Sequence, residues 1–99
     1  MKQRQPFVDK YAKDLSPSDT FVSLTGVVVS KGESSFILDD GSGDVVVLMN
    51  SEGLPDYVRV FGRLLQTEDG LRLQGDFFQD VSKIDKLLYK KVKDLINKN

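Results

Sequence analysis

The succession of hydrophobic periods constrains this chain more than any other feature. Between Thr20 and Asp80 apolar residues recur at every second position in short runs, each closed by a turn signal. That is the pattern of half-buried β-strands. In the run TFVSLTGVVVS (residues 20–30), Val22, Leu24 and Val28 fall on one face and Ser23 and Thr25 on the other, and Gly26 predicts a bend or bulge. FILD and DVVVLM flank a glycine-rich turn and predict a tight hairpin. In YVRVFGRLL, Val58, Val60 and Leu64 alternate with Tyr57, Arg59, Phe61 and Arg63, and Gly62 on the apolar phase predicts a sharp coil. A turn at TEDG leads into LRLQGDFF, with Leu71, Leu73 and Phe77 read as inward. From Val81 to Lys98 the period changes to 3.6, which predicts a helix with Ser82 as N-cap and Asp85 three residues on.

At 99 residues the chain has room for one domain, with a core that buries about 65% of the surface of the unfolded chain. Three segments follow from the periods: an arm over residues 1–19, a barrel over 20–80 and a helix over 81–99. With 39% apolar and 29% charged residues and no apolar run at the start, the chain is expected to be soluble and intracellular, cytoplasmic in a prokaryote or nuclear in a eukaryote. The absence of histidine and cysteine removes the commonest general base, the commonest transition-metal ligand and the thiolate zinc site. None of the familiar spacings for serine, lysine or carboxylate catalysis is present. No catalytic residue, metal, cofactor, membrane contact or small-molecule substrate is therefore expected.

The stretch FILDDGSGDVVVLM admits three readings: a cation site, a phosphate loop or a turn. An EF-hand-like loop needs acids at alternate positions and a distant glutamate, whereas Asp39 and Asp40 are adjacent and no such glutamate follows. A phosphate loop needs a following helix, and residues 45–49 are β-branched strand material. The simplest reading gives Gly41 and Gly43 positive φ angles, with Asp39, Asp40 and Asp44 supporting the turn.

Five closely spaced strands with glycines inside the first and fourth predict a small coiled barrel, all-β with a terminal helix, and at this length a five-stranded OB-fold. Gly-Val-Val-Val, Ile-Leu-Asp-Asp-Gly-Ser-Gly and Tyr-Val-Arg-Val-x-Gly-Arg-Leu, in that order and followed by the terminal helix, resemble the middle subunit of replication protein A and its archaeal and telomere-capping relatives. The resemblance implies a domain that binds single-stranded DNA on one barrel face and joins other OB-fold subunits through its last helix.

OB-folds hold single strands by stacking bases on aromatic rings and guiding phosphates with Lys and Arg. The candidates here are Lys31, Leu48, Arg59, Phe61, Arg63 and Arg72, the three arginines being expected near the turn at residues 66–70. The alternative for the arginines is pairing with carboxylates, and for Phe61 packing under the arm or the helix. Two features weaken strand binding. Residues 20–80 carry four basic and ten acidic groups, a net of −6, which forfeits counterion release. The positions matching the family's stacking aromatics are Leu48 and Thr67. Any contact with single-stranded DNA, or RNA, is thus expected to be weak.

Partner surfaces stand out more clearly. Residues 45–49 are apolar without a break, so whichever set faces the core, the other needs cover. The arm, through Phe7, Tyr11 and Leu15, or another protein would supply it. On the helix, Val81, Ile84, Leu87, Leu88, Val92, Leu95 and Ile96 span about half the circumference, wider than the ~100° stripe of a surface helix. Ile84, Leu87, Leu88, Val92, Leu95 and Ile96 are the candidate partner-binding residues. Lys83, Lys86, Lys90 and Lys93 lie opposite and read as a solvated face. Two functions remain open: a subunit of a replication protein A-like complex, or a stand-alone OB-fold adaptor with no nucleic-acid role.

Overall fold

In the computed structural model, which describes residues 7–83 and 86–97 apart from the side chains at 86, 89, 96 and 97, each alternating run is a strand. A two-residue strand β1 (Val8–Asp9) and a 3-10 turn (Ala12–Asp14) precede them. The barrel strands are β2 (Phe21–Lys31), β3 (Ser35–Asp39), β4 (Asp44–Leu48), β5 (Tyr57–Thr67) and β6 (Gly70–Asp80), and the helix α1 spans Lys86–Asn97. The order is β2-β3-β4-β6-β5, and β5 closes on β2. All barrel pairings are antiparallel except β4 with β6. This closed five-stranded barrel with its terminal helix is an OB-fold.

The inward residues predicted on β2, β5 and β6 that meet in the core are Val22, Leu24, Val58, Val60, Leu64 and Leu73. They pack with Phe36, Leu38, Val45 and Val47 of β3 and β4, whose phase alternation alone left open, and Leu54 enters from the β4–β5 loop. Each such side chain contributes about 1.5–3 kcal/mol on full burial. Gly62 is required by a close approach: a Cβ there would run into the main-chain oxygen of Gln74.

Beside Gly62 the β5–β6 register shifts, because Phe61 pairs with Phe77 and Gly62 with Gly75, leaving Asp76 as an extra residue on β6. An inserted residue reverses the side-chain phase beyond it. Phe77, expected inward, consequently stands on the outer side and is exposed.

Other expectations are also corrected. Ser23 and Thr25 lie on the outer face of β2 yet are buried. The arm accounts for Ser23, whose hydroxyl donates to Asp9 at 3.0 Å. Only Gly41 of the hairpin pair has a positive φ, 91°. Gly43 instead leaves room for Ala12, whose Cβ would lie 3.6 Å from a Cβ at that position. Asp40 supports the turn as predicted and also ties down the arm, accepting from Ser42 N, Ser42 Oγ and Ala12 N at 2.9, 2.7 and 2.7 Å. Ser82 does not cap the described helix: it lies in a turn, and its N–H and hydroxyl donate back to Asp80 at 2.9 and 2.7 Å. Those bonds, the hydroxyl's first, hold the Asp80 carboxyl below its usual range. Among the described residues no helix is long and apolar enough to cross a membrane.

Candidate nucleic-acid and partner interfaces

Register places the strand-binding candidates on two parts of the barrel's outer surface. Arg63 on β5 is beside Gln74 on β6, Gln74 is beside Leu48 on β4, and Leu48 is beside Ser35 on β3. The adjacent row runs Leu65, Arg72, Val46, Ile37. Arg63, Arg72 and Leu48 therefore share one patch, with Val46 and Leu48 half-buried on the outer phase of β4. β1 lies elsewhere, beside β2 at Val22 and Ser23, while the 3-10 turn approaches the β3–β4 hairpin at Asp40 and Gly43.

Arg59 and Phe61 belong to a different neighbourhood. Arg59 sits opposite Thr25 and Gln79, and its guanidinium is 3.6 Å from Asp9 of the arm. Phe61 is covered by Phe7, edge-on at 5.5 Å, and stacks beside Phe77 at 4.7 Å. The predicted gathering of three arginines at the β5–β6 turn reduces to Arg72, which is 3.5 Å from Asp69. Lys31, at the far end of β2, donates to the Leu54 carbonyl at 3.4 Å. Arg63 alone of the three arginines is exposed and takes part in no ion pair among the described residues.

Of the lysines expected on a solvated face of the helix, Lys83 and Lys90 are exposed, and one departs from that expectation. Lys93, read as part of a solvated face, is only 3% exposed. Its ammonium donates to the Lys10 carbonyl at 2.6 Å, lies 3.5 Å from Asp9 and sits 4.4 Å from the centre of the Tyr11 ring. The Tyr11 hydroxyl donates to Asp94, which also lies 3.8 Å from Lys90. Burial pushes the Lys93 ammonium below its usual pKa, with Asp9 and Asp40 opposing the shift. A helix that turns this side to the barrel must turn its other side out. Leu87, Leu88, Val92 and Leu95 are accordingly between 46% and 77% exposed. Ile84 and the side chain of Ile96 lie outside the described residues. Between α1 and β2 a cleft of about 440 Å³ opens, lined by Val27, Val29, Tyr57 and Leu87 together with charged residues that include Asp40 and Lys93.

Three features were not singled out from sequence: the buried ammonium of Lys93, the Asp9 carboxylate beneath it, and the exposed rings of Phe21 and Phe77. For Phe77 a signal existed in Gly75, which lies opposite Gly62 at the β5–β6 shift. On β2 the shift falls between Val28 and Ser30, beyond the bulge expected at Gly26. Nothing local marks Lys93, because its burial depends on an arm 83 residues away.

Among the described residues, no group of three or more acids is placed to hold a metal ion.

Compared by sequence, the chain matches no family model and no curated protein. Compared by structure, it is similar to several solved chains. The hypothetical protein ygiW from E. coli superposes with a TM-score of 0.60 at 16% identity, over 79% of this chain and 98% of that one. A chain of a replication protein A heterotrimer bound to ssDNA superposes with a TM-score of 0.58 at 17% identity, over 75% of this chain and 67% of that one. At such identities the likeness speaks for the fold alone.

Proposed function

We propose that this chain is a non-enzymatic OB-fold module that serves as a scaffolding subunit of a replication protein A-like single-stranded DNA-binding complex, assembling through α1 and contacting the strand weakly or jointly with its neighbours. The observation that carries this reading is the orientation of α1. A helix anchored by Lys93, Tyr11 and Asp94 presents its leucines to solvent, where each wet side chain forgoes part of the 1.5–3 kcal/mol of burial (about that range for full burial). A helix from another OB-fold subunit would cover Leu88, Val92 and Leu95, and the cleft beside Leu87 would receive one of its apolar side chains. Likeness to a chain of a replication protein A heterotrimer agrees with such a role.

The strand contact is assigned to the Leu48, Arg63 and Arg72 patch; Arg59 and Phe61, engaged by the arm, and Lys31, at the far end of β2, lie apart from it. Affinity is expected to be micromolar or weaker, because the barrel region is acidic overall. That acidity also favours the second reading, a stand-alone protein-interaction adaptor.

Substituting Leu88→Asp and Leu95→Asp together tests the assembly surface. The expected result is a folded monomer with unchanged barrel stability that no longer retains partner OB-fold subunits from native extract. Global unfolding of the double variant would instead show that the helix serves its own barrel. Nuclease treatment of the extract separates strand-bridged partners, which are lost, from directly bound ones, which stay; recovery of single-stranded DNA with the complex before treatment is expected for the first reading and not for the adaptor.

A further inference from the structure

Aromatic rings gather on the outer side of the barrel where β2, β5 and β6 run together. Phe7 of the arm stands edge-on to Phe21, Phe61 and Phe77, with centroids 5.7, 5.5 and 5.7 Å away. Phe61 and Phe77 are stacked on each other, their centroids 4.7 Å and their planes 16° apart, so that one face of each ring is already taken by the other. Phe7 covers the cluster incompletely: Phe21 stays 37% exposed and Phe77 49%.

The composition of the patch selects its occupant. Unlike the stripe on α1, it contains flat rings, and an exposed π face is what a nucleobase stacks on. The register supplies a cation in the right place, because Arg63 lies directly beside Phe21 and, through Gln74, in line with Leu48. Arg63 is exposed and in no ion pair among the described residues, so its charge is available to a phosphate. The arm's acids near this surface are paired, Asp9 with Arg59 at 3.6 Å and Lys93 at 3.5 Å and Asp19 with Lys10 at 3.5 Å. Asp76 is the exposed acid of the bulge, a single charge set against Arg63.

We propose that Phe21 and Phe77 form a base-stacking platform for single-stranded nucleic acid, with Arg63 holding a phosphate between this platform and the Leu48 patch; the proposal rests on the strand-binding part of the function above and names a site for it. Stacking supplies the attraction that the acidic barrel cannot supply through phosphates. The platform lies on the β2–β5–β6 side of the barrel, apart from the β3–β4 face.

The test measures binding of labelled oligothymidine and oligouridine to the full chain, the two arms separating DNA from RNA. Phe77→Ala and Phe21→Ala are each expected to weaken binding about tenfold, whereas Phe77→Tyr, which keeps the ring, preserves it. Circular dichroism melts of each variant report whether the barrel is intact. Irradiation of an oligonucleotide carrying 5-iodouracil is expected to crosslink the peptide that contains Phe77, a readout needing no substitution. Unchanged affinity in folded alanine variants, or crosslinks confined to β3 and β4, would overturn the platform and leave the Leu48 patch as the strand site. Absence of binding to either oligonucleotide by the unaltered chain would overturn both, leaving assembly through α1 to its own experiment. A dimer of the unaltered chain that Phe77→Ala dissociates would show that a second copy covers the rings, and would also overturn the proposal.

Discussion

The ammonium of Lys93 donates a 2.6 Å hydrogen bond to the main-chain oxygen of Lys10, joining the terminal helix to the amino-terminal arm. Asp9 lies 3.5 Å from the same ammonium, and the Tyr11 ring covers it. The helix is thus attached by a polar contact where its sequence offers an apolar one. This contact decides which face of α1 meets the barrel.

Its pH dependence follows from the lowered pKa. Burial depresses Lys93 below the ordinary value of 10.5, Asp9 and Asp40 oppose the shift, and Arg59 adds to it. Between the depressed value and 10.5 the unfolded chain holds more protons than the folded one, so stability rises with pH across that window. Below the window Lys93 is charged in both states and the full burial penalty is felt. Denaturant titrations from neutral pH upward are expected to show this gain in the unaltered chain and to lose it in Lys93→Met. Parallel pH profiles for the two proteins would refute the assignment.

Reversing the charge should detach the helix. Lys93→Glu places a carboxylate against Asp9 and the Lys10 carbonyl, leaving buried acceptors without a donor at a cost of about 3–5 kcal/mol. Amide exchange along α1 is expected to accelerate while β2 and β5 amides keep their protection. Equal acceleration in the barrel would mean that helix and barrel unfold together.

The β-bulge makes Gly62 irreplaceable. A Cβ there meets main-chain atoms of Gln74 and Gly75 and forces β6 to move, which overpacking data put at about 1–3 kcal/mol. For a domain of this size each kcal/mol lowers the melting temperature by roughly 4–8 °C. Gly62→Ala should show such a loss, and Gly32→Ala, whose nearest neighbours would be 3.5 Å away, should not.

Asp40 is expected to matter for stability, and Asp44 much less. Asp40→Ala removes the acceptor for Ala12 N, Ser42 N and Ser42 Oγ together, costing about 1–3 kcal/mol and releasing the 3-10 turn. Asp44 is exposed, and Asp44→Asn should lie within about 0.5 kcal/mol of the unaltered chain. Equal losses in urea denaturation would argue that the hairpin acids act as a group.

Arg63 should carry a measurable share of strand binding. On the single-strand relation, losing one phosphate contact lowers the slope of log affinity against log salt by about 0.7. Oligothymidine titrations at several salt concentrations are expected to show that change for Arg63→Ala. The change should be smaller for Arg72→Ala, because Asp69 at 3.5 Å already competes for Arg72. An unchanged slope in Arg63→Ala would remove it from the phosphate path.

Alternation and turn chemistry are local, so the strands, the hairpin and the inward residues of β2, β5 and the start of β6, from Val22 to Leu73, were legible in the sequence by itself. Those residues must be buried in any fold that pairs these strands. The unbroken apolar run of β4, by contrast, left its inward set open. The outer surface was not legible in the same way. Phe77 changed sides because one extra residue on β6 reversed a phase that pattern reading carries forward unbroken. Lys93 became the inward residue of α1 because an acid, a carbonyl and an aromatic ring from the arm converge on it, giving a buried ammonium the partners it needs. The sequence therefore determined that the chain forms a barrel followed by an amphipathic helix. Which side of the helix faces out, and which rings remain at the surface, only the tertiary structure decided, because both depend on contacts between segments that periodicity does not connect.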